Sequence, residues 1–192
     1  DGRVNKADTT GILSIINSST SDNSITSTIR FINDANRITV QYSTIAGSQN
    51  SINSGVVMLS STSRTLGNDN ITFDNCNFTT AISNSRPRTM IYSLGSNGLP
   101  NDNLTISNSN FYDFSRINTM GINIGNFNRG LTIINNSFYE RNPLNFNSGG
   151  SYTVIQVGGG NNFNIQGNYI GGTSPFCQGG KLTKTGNNNN FY

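Results

Sequence analysis

The stretch NDNITFDNCNF at residues 68–78 returns as NDNLTISNSNF at residues 101–111, 33 positions later. A near-copy at a fixed interval marks a repeat architecture, in which each copy is one structural unit. Aligned on its first apolar residue the phrase has five copies. They begin at Ile38 (ITVQYSTI), Ile71 (ITFDNCNF), Leu104 (LTISNSNF), Leu131 (LTIINNSF) and Phe163 (FNIQGNYI). The steps between them are 33, 33, 27 and 32 residues.

Within the phrase, positions one and three are apolar and position two is polar, four times a threonine (Thr39, Thr72, Thr105, Thr132). That is the period of a strand with one buried face. Position five is Asn75, Asn108, Asn135 or Gly167 in the later copies, residue types that accept a bend with positive φ. Past the bend, positions six and eight should point inward again. Position eight is Ile45, Phe78, Phe111, Phe138 and Ile170; position six is Ser43, Cys76, Ser109, Asn136 and Asn168. A Phe stack is therefore expected beside a small or polar stack, with interior Asn side chains bonded from rung to rung. A second strand precedes each phrase, in STIRFI, GVVMLS, TMIYSL, MGINIG and YTVIQV. Each coil then reads as strand, turn, strand, bend, short strand and variable loop. No coil can bury its apolar face alone, so the coils must stack as a solenoid.

This pattern resembles the right-handed parallel β-helix of the pectate-lyase-like proteins. It is also similar to Asn-rich β-helix repeats of secreted and surface proteins of Bacteroidota, most of all in IQGNYIGGTSP at residues 165–175. The resemblance covers residues 27–192 and implies an all-β, right-handed parallel β-helix of about six coils of 27–33 residues. At the spacing of paired strands this is a rod ~25–30 Å long. The chain 1–192 reads as a single β-helix segment of a longer protein. Residues 1–26 are a cap or an upstream coil, and residues 27–192 are repeated coils. KLTKTGNNNNFY, at the end, reads as a repeat of YTVIQVGGGNNFN stopped in mid-coil.

Composition agrees with short strands and many turns. Asn supplies 34 of the 192 residues and Gly 21, while Tyr (7) and Phe (11) are kept and the net charge is only +3. Disordered chains usually combine few aromatics with high net charge. The sequence contains no Lys/Arg run, which argues against nucleic-acid partners, and no apolar stretch long enough to insert in a membrane. Cys76 and Cys177 lie three or more coils apart in this scheme, beyond disulfide reach, and read as free thiols. Chance accounts for most of the five N-x-[ST] sequons in so Asn-rich a chain, and DTT at residues 8–10 resembles a short Bacteroidota O-glycosylation motif.

Chemistry has few candidates. With no His and a single Glu, a Ser–His or Cys–His nucleophile is excluded within these residues. Two acid pairs fall at equal register. Asp69 and Asp102, in the NDN turns, could share Ca²⁺ through carboxylate and amide oxygens, but suit turn-making better; Arg129, at the same register, is placed to pair with Asp102. No cofactor is otherwise implied. Asp113 and Glu140 follow Tyr112 and Tyr139, with Arg116 and Arg141 in the same loops and Arg88 a coil away.

This strip reads first as an exposed ion-pair ladder, with tyrosines covering the Phe stack. As a site it suits sugar binding rather than cleavage, which makes Tyr112, Asp113, Arg116, Tyr139, Glu140 and Arg141 the candidate ligand residues. The function expected is a non-catalytic, adhesin- or stalk-like segment of a large bacterial protein. Secretion or surface display, by type IX secretion, is what the Bacteroidota resemblance implies. Its partners would be a surface polysaccharide or glycan and the rest of its own chain. The alternatives are a polysaccharide lyase or hydrolase, with Asp113, Glu140 and Arg116 in one concave groove, and a tailspike-like fibre that trimerises.

Overall fold

The computed structural model describes residues 1–60, 65–114, 116–142, 144–145, 150–185 and 190–191. Among them no helix forms, and three long sheets run the length of the molecule. The first sheet stacks Ile29–Phe31, Val57–Leu59, Thr89–Ser93, Thr119–Ile124, Ser151–Val157 and Asn190–Phe191. The second stacks Asn36–Gln41, Asp69–Asp74, Thr105–Ser107, Thr132–Ile134 and Asn164–Gln166. The third stacks Ser14–Asn17, Thr44–Gly47, Asn77–Thr80, Asn110–Tyr112, Ser137–Tyr139 and Tyr169–Ile170. Within these sheets strands pair in parallel with the strand one coil away, as in the right-handed parallel β-helix expected.

The register is the one the phrase dictates. Thr72 pairs with Thr105 and Thr105 with Thr132; Phe78 pairs with Phe111 and Phe111 with Phe138. The backbone holds neighbouring strands about 4.8 Å apart, so identical residues in register must stack. The Phe78 and Phe111 ring centroids are 4.5 Å apart, and those of Phe111 and Phe138 are 4.7 Å apart. Around them Ile45, Ile71, Phe73, Ile106 and Ile133 are fully buried.

The coil count differs from expectation. About five turns are formed rather than six, because only five coils contribute a strand to all three sheets. The closing residues are also placed differently from their apparent homology to YTVIQVGGGNNFN. Lys184–Thr185 pairs with Leu144–Asn145 in the loop region, and Asn190–Phe191 lies opposite Ser151–Tyr152. The shared GNN letters reflect the abundance of Asn and Gly, whereas register is set by strand pairing; residues 186–189 and 192 lie outside the described residues. At the other end, Ser14–Asn17 pairs with Thr44–Gly47 and adds a rung to the third sheet alone.

Two corners of each coil are turned by left-handed residues. Position five has φ of 50° at Tyr42, 52° at Asn75, 49° at Asn108, 56° at Asn135 and 64° at Gly167. The residue just before each phrase does the same: Arg37, Asn70, Asn103, Gly130 and Asn162. Asn and Gly adopt this conformation with the least strain, which accounts for much of the composition.

Inside the first of these bends the expected polar stack is present. Asn136 Nδ2 donates to Asn168 Oδ1 (3.0 Å) and to the Ile106 carbonyl (3.0 Å), while its Oδ1 accepts from the Ser109 N–H at 3.0 Å. Ser109 Oγ in turn accepts from the Cys76 N–H at 3.0 Å. A second interior ladder, which sequence reasoning passed over, uses the first Asn of the NDN turns. The Asn68 N–H donates to Asn101 Oδ1 (2.9 Å), and Ser93 Oγ, which accepts from Asn101 Nδ2 (3.1 Å), lies 2.5 Å from Asn128 Oδ1. Cys76 is buried, Cys177 is exposed, and both are free thiols.

Candidate functional site

The strip singled out from the sequence is brought together in part and then closed. Tyr112 and Tyr139 stack with centroids 5.2 Å apart, and the Arg141 guanidinium lies 4.5 Å over the Tyr112 ring. Burial, with Tyr112 beside it, pushes the Tyr139 phenol up to about 12. Asp113 and Glu140, expected on an exposed ladder, are instead buried at 3% and 0% exposure.

Each is paired with an arginine of this chain, Arg86 largely covered and Arg141 about half exposed. Arg141 Nε donates to Asp113 Oδ2 at 2.6 Å, and Arg86 Nη1 donates to Glu140 Oε2 at 2.5 Å. Glu140 Oε1 accepts from the Phe114 N–H and from the Tyr152 hydroxyl, both at 3.2 Å. Burial raises the Glu140 carboxyl to about 7, although the Arg86 charge pulls the other way.

Arg116 does not join this cluster. Its guanidinium donates to the Arg86 carbonyl at 3.4 Å, and burial beside Arg88 lowers its pKa. The three groups of the lyase reading therefore share no groove. Arg86, the residue that does complete the cluster, was missed because loop lengths differ between coils and erase register a few residues past the Phe stack.

The NDN turns behave as turns. The Asp102 N–H donates to Asp69 Oδ1 at 2.9 Å, and Arg129 grips Asp102 with Nε and Nη2 at 2.9 and 2.6 Å. Asp69 Oδ1 and both carboxylate oxygens of Asp102, proposed for Ca²⁺, are committed to these partners.

An open site lies at the bend between the second and third sheets. Two adjoining hollows of about 440 and 190 Å³ share Asn75, Asn108 and Asn110, and so form one furrow running along the solenoid. Its walls are the outward rows of positions five and seven: Asn75, Asn108 and Asn135 in one, Asn77, Asn110 and Ser137 in the other. The repeat makes these rows for the same reason it makes the Phe stack. Side chains alternate across a strand, so positions flanking the inward sixth must face out.

The rows end in aromatics. Tyr42 takes position five in the first coil, and Tyr169 takes position seven in the fifth, four rungs or ~19 Å away. Arg3 covers one face of Tyr42, its guanidinium 4.1 Å from the ring centroid. Tyr169, 42% exposed, meets Phe176, 58% exposed, edge to face at 5.2 Å. Phe176 is carried by a tight turn in which the Thr173 and Ser174 amides donate to the Gln178 carbonyl, and its own N–H donates to Ser137 Oγ at 3.1 Å. Holding Phe176 and Cys177 at φ of 60° and 58° costs energy for side chains of this size.

At the near end Thr9, Thr10 and Gly11 form the rim, and Gly11 packs so tightly on the Tyr42 carbonyl that a Cβ there would clash. Among the described residues, no Lys, Arg, Asp or Glu lines the furrow. Its rows were visible in the sequence as regular Asn, but read only as bend-makers.

Compared with family models, with curated proteins and with solved structures, the chain matches none. The fold is therefore established from its own strand pairing.

Proposed function

We propose that this chain is a non-catalytic, carbohydrate-binding segment of a large secreted or cell-surface bacterial protein, adhesin- or stalk-like in role. The pectate-lyase-like and Bacteroidota affinities of its repeat belong to the same reading. The observation that carries it is the furrow: parallel rows of side-chain amides between aromatic ends, open along several rungs. A glycan chain presents rows of hydroxyls, each both donor and acceptor, and amides match both roles. Tyrosine offers an apolar face with a polar tip, suited to the C–H face of a sugar ring. The rows come from rigid strands, so little ordering opposes binding. The carboxylates that hydrolysis or elimination would use, Asp113 and Glu140, are instead buried and paired.

A glycan array probed with the chain tests this. Binding lost in Tyr169→Ala but kept in Tyr112→Ala/Tyr139→Ala supports the furrow. Binding lost only in the Tyr112/Tyr139 pair would move the site to the strip, and an array with no signal would sink the carbohydrate reading.

A further inference from the structure

Four amides of the furrow, Asn75, Asn77, Asn108 and Asn110, have one half engaged, and this fixes what the other half offers. A carboxylate only accepts hydrogen bonds, so whatever faces Asp74 must be an N–H or O–H. Asn75 Nδ2 meets Asp74 Oδ2 at 2.8 Å; Asn108 Nδ2 and Ser107 Oγ meet Oδ1 at 2.8 and 2.7 Å. Gln41 Nε2 stands 3.5 Å from Oδ2. Burial works against ionisation of Asp74, but the bonds from Ser107, Asn108, Asn75 and Gln41 together hold its carboxyl below the ordinary value. With their NH₂ groups turned to Asp74, Asn75 and Asn108 present their carbonyl oxygens outward. Asn110 does the same, since its Nδ2 donates to Asn77 Oδ1 at 3.0 Å.

The middle of the furrow is thus a row of three acceptors above a fixed negative charge, with the NH₂ of Asn77 as the donor beside them, since Asn77 spends its Oδ1 on Asn110. The cation over Tyr42 at its end, Arg3, is bound to Asp1 at 2.6 Å and occupied with that ring. A ligand carboxylate there would meet three acceptor oxygens and a like charge, with one neutral amide donor and no cationic lining residue to offset them, which is repulsive at short range. A ligand hydroxyl would find an acceptor at each of two or three rungs.

We infer that the furrow takes a neutral glycan and rejects polyuronates, with ligand hydroxyls donating to the amide oxygens of Asn75, Asn108 and Asn110. Asp74 is the positioning residue that sets the direction of those amides. This rests on the carbohydrate reading above and narrows it to a chemical class.

The test is calorimetric titration of the chain with neutral mannan, xylan, galactan and β-glucan, and with polygalacturonate and alginate, at low and high salt. At least one neutral polymer should bind and neither uronate should at either salt. Asn75→Gly/Asn108→Gly removes both acceptors while keeping the bend, since Gly167 already serves there at φ 64°; it should lose binding with an unchanged circular-dichroism spectrum. Asp74→Asn frees the amides to flip, and should weaken neutral-glycan binding about tenfold while narrowing the gap to the uronates.

Uronate binding that Asn75→Gly/Asn108→Gly abolishes would overturn the neutral class but leave a glycan furrow standing. Binding of no polymer at all would overturn the carbohydrate reading itself. An unchanged neutral-to-uronate ratio in folded Asp74→Asn would remove Asp74 from its positioning role.

Discussion

Two polar regions occupy neighbouring corners of the same coils and are treated in opposite ways. Where the third sheet turns toward the first, the buried carboxylates Asp113 and Glu140 are each paired with an arginine, Arg141 about half exposed and Arg86 largely covered, so that the charges meet each other. Where the second sheet turns into the third, Asn75, Asn108 and Asn110 satisfy half of each amide and leave the other half facing open space. The charged corner looked like a site in the sequence, and the neutral bend looked like scaffold. Ionised side chains cost most when buried and so must be completed internally, whereas a neutral amide can keep a free acceptor at the surface at little cost. Charge therefore marks the structural corner here, and uncharged amides mark the open one.

The sharpest way to break that contrast is Arg86→Ala. Glu140 would be left buried without its main counter-charge, and a loss of about 3–5 kcal/mol in unfolding free energy is expected at pH 8. The loss should shrink at pH 5, where Glu140 carries a proton. Denaturant unfolding at the two pH values measures both; equal losses would show that Arg86 acts by packing alone.

A related effect is expected in the unsubstituted chain. The folded Glu140 carboxyl, at about 7, sits above its ordinary 4.5, so the native state holds this proton more tightly than the unfolded state. This contribution to stability is full below about pH 4.5 and declines as pH rises to about 7, by ~1.4 kcal/mol per pH unit at most, and it is flat beyond. Melting temperatures across that window should fall with pH, and Glu140→Gln should flatten the slope.

The inner face of the bend supplies a smaller effect. Asn136→Ala strands the Ser109 N–H and the Ile106 carbonyl inside the coil, at about 1–3 kcal/mol. Its outer neighbour should hardly matter to folding. Asn75→Gly should change stability by no more than about 0.5 kcal/mol while weakening glycan binding. If Asn75→Gly proved as destabilising as Asn136→Ala, the outer row would be scaffold after all.

Much of the fold was legible because repetition exposes register directly. The apolar first, third and eighth positions, the left-handed fifth and the inward polar sixth all stand where the phrase puts them. Arg129 also pairs with Asp102 as their shared register suggested. Legibility ends where the period ends. Beyond Phe111 and Phe138 the loops vary in length, and neither the partnership of Arg86 with Glu140 nor the departure of Arg116 could be read from spacing. The furrow failed to appear for another reason. Asn at positions five and seven has a sufficient local explanation in turn and strand geometry, which hid its second use.

The sequence alone determined the stacking. An eight-residue phrase of period-two apolar residues and one left-handed bend has a single way to bury its faces, and five copies make that solution cooperative. Only the tertiary structure decided which polar groups are satisfied inside and which remain open. That depends on whether a neighbouring coil or loop covers them, and such cover is a property of the assembled solenoid rather than of any one phrase.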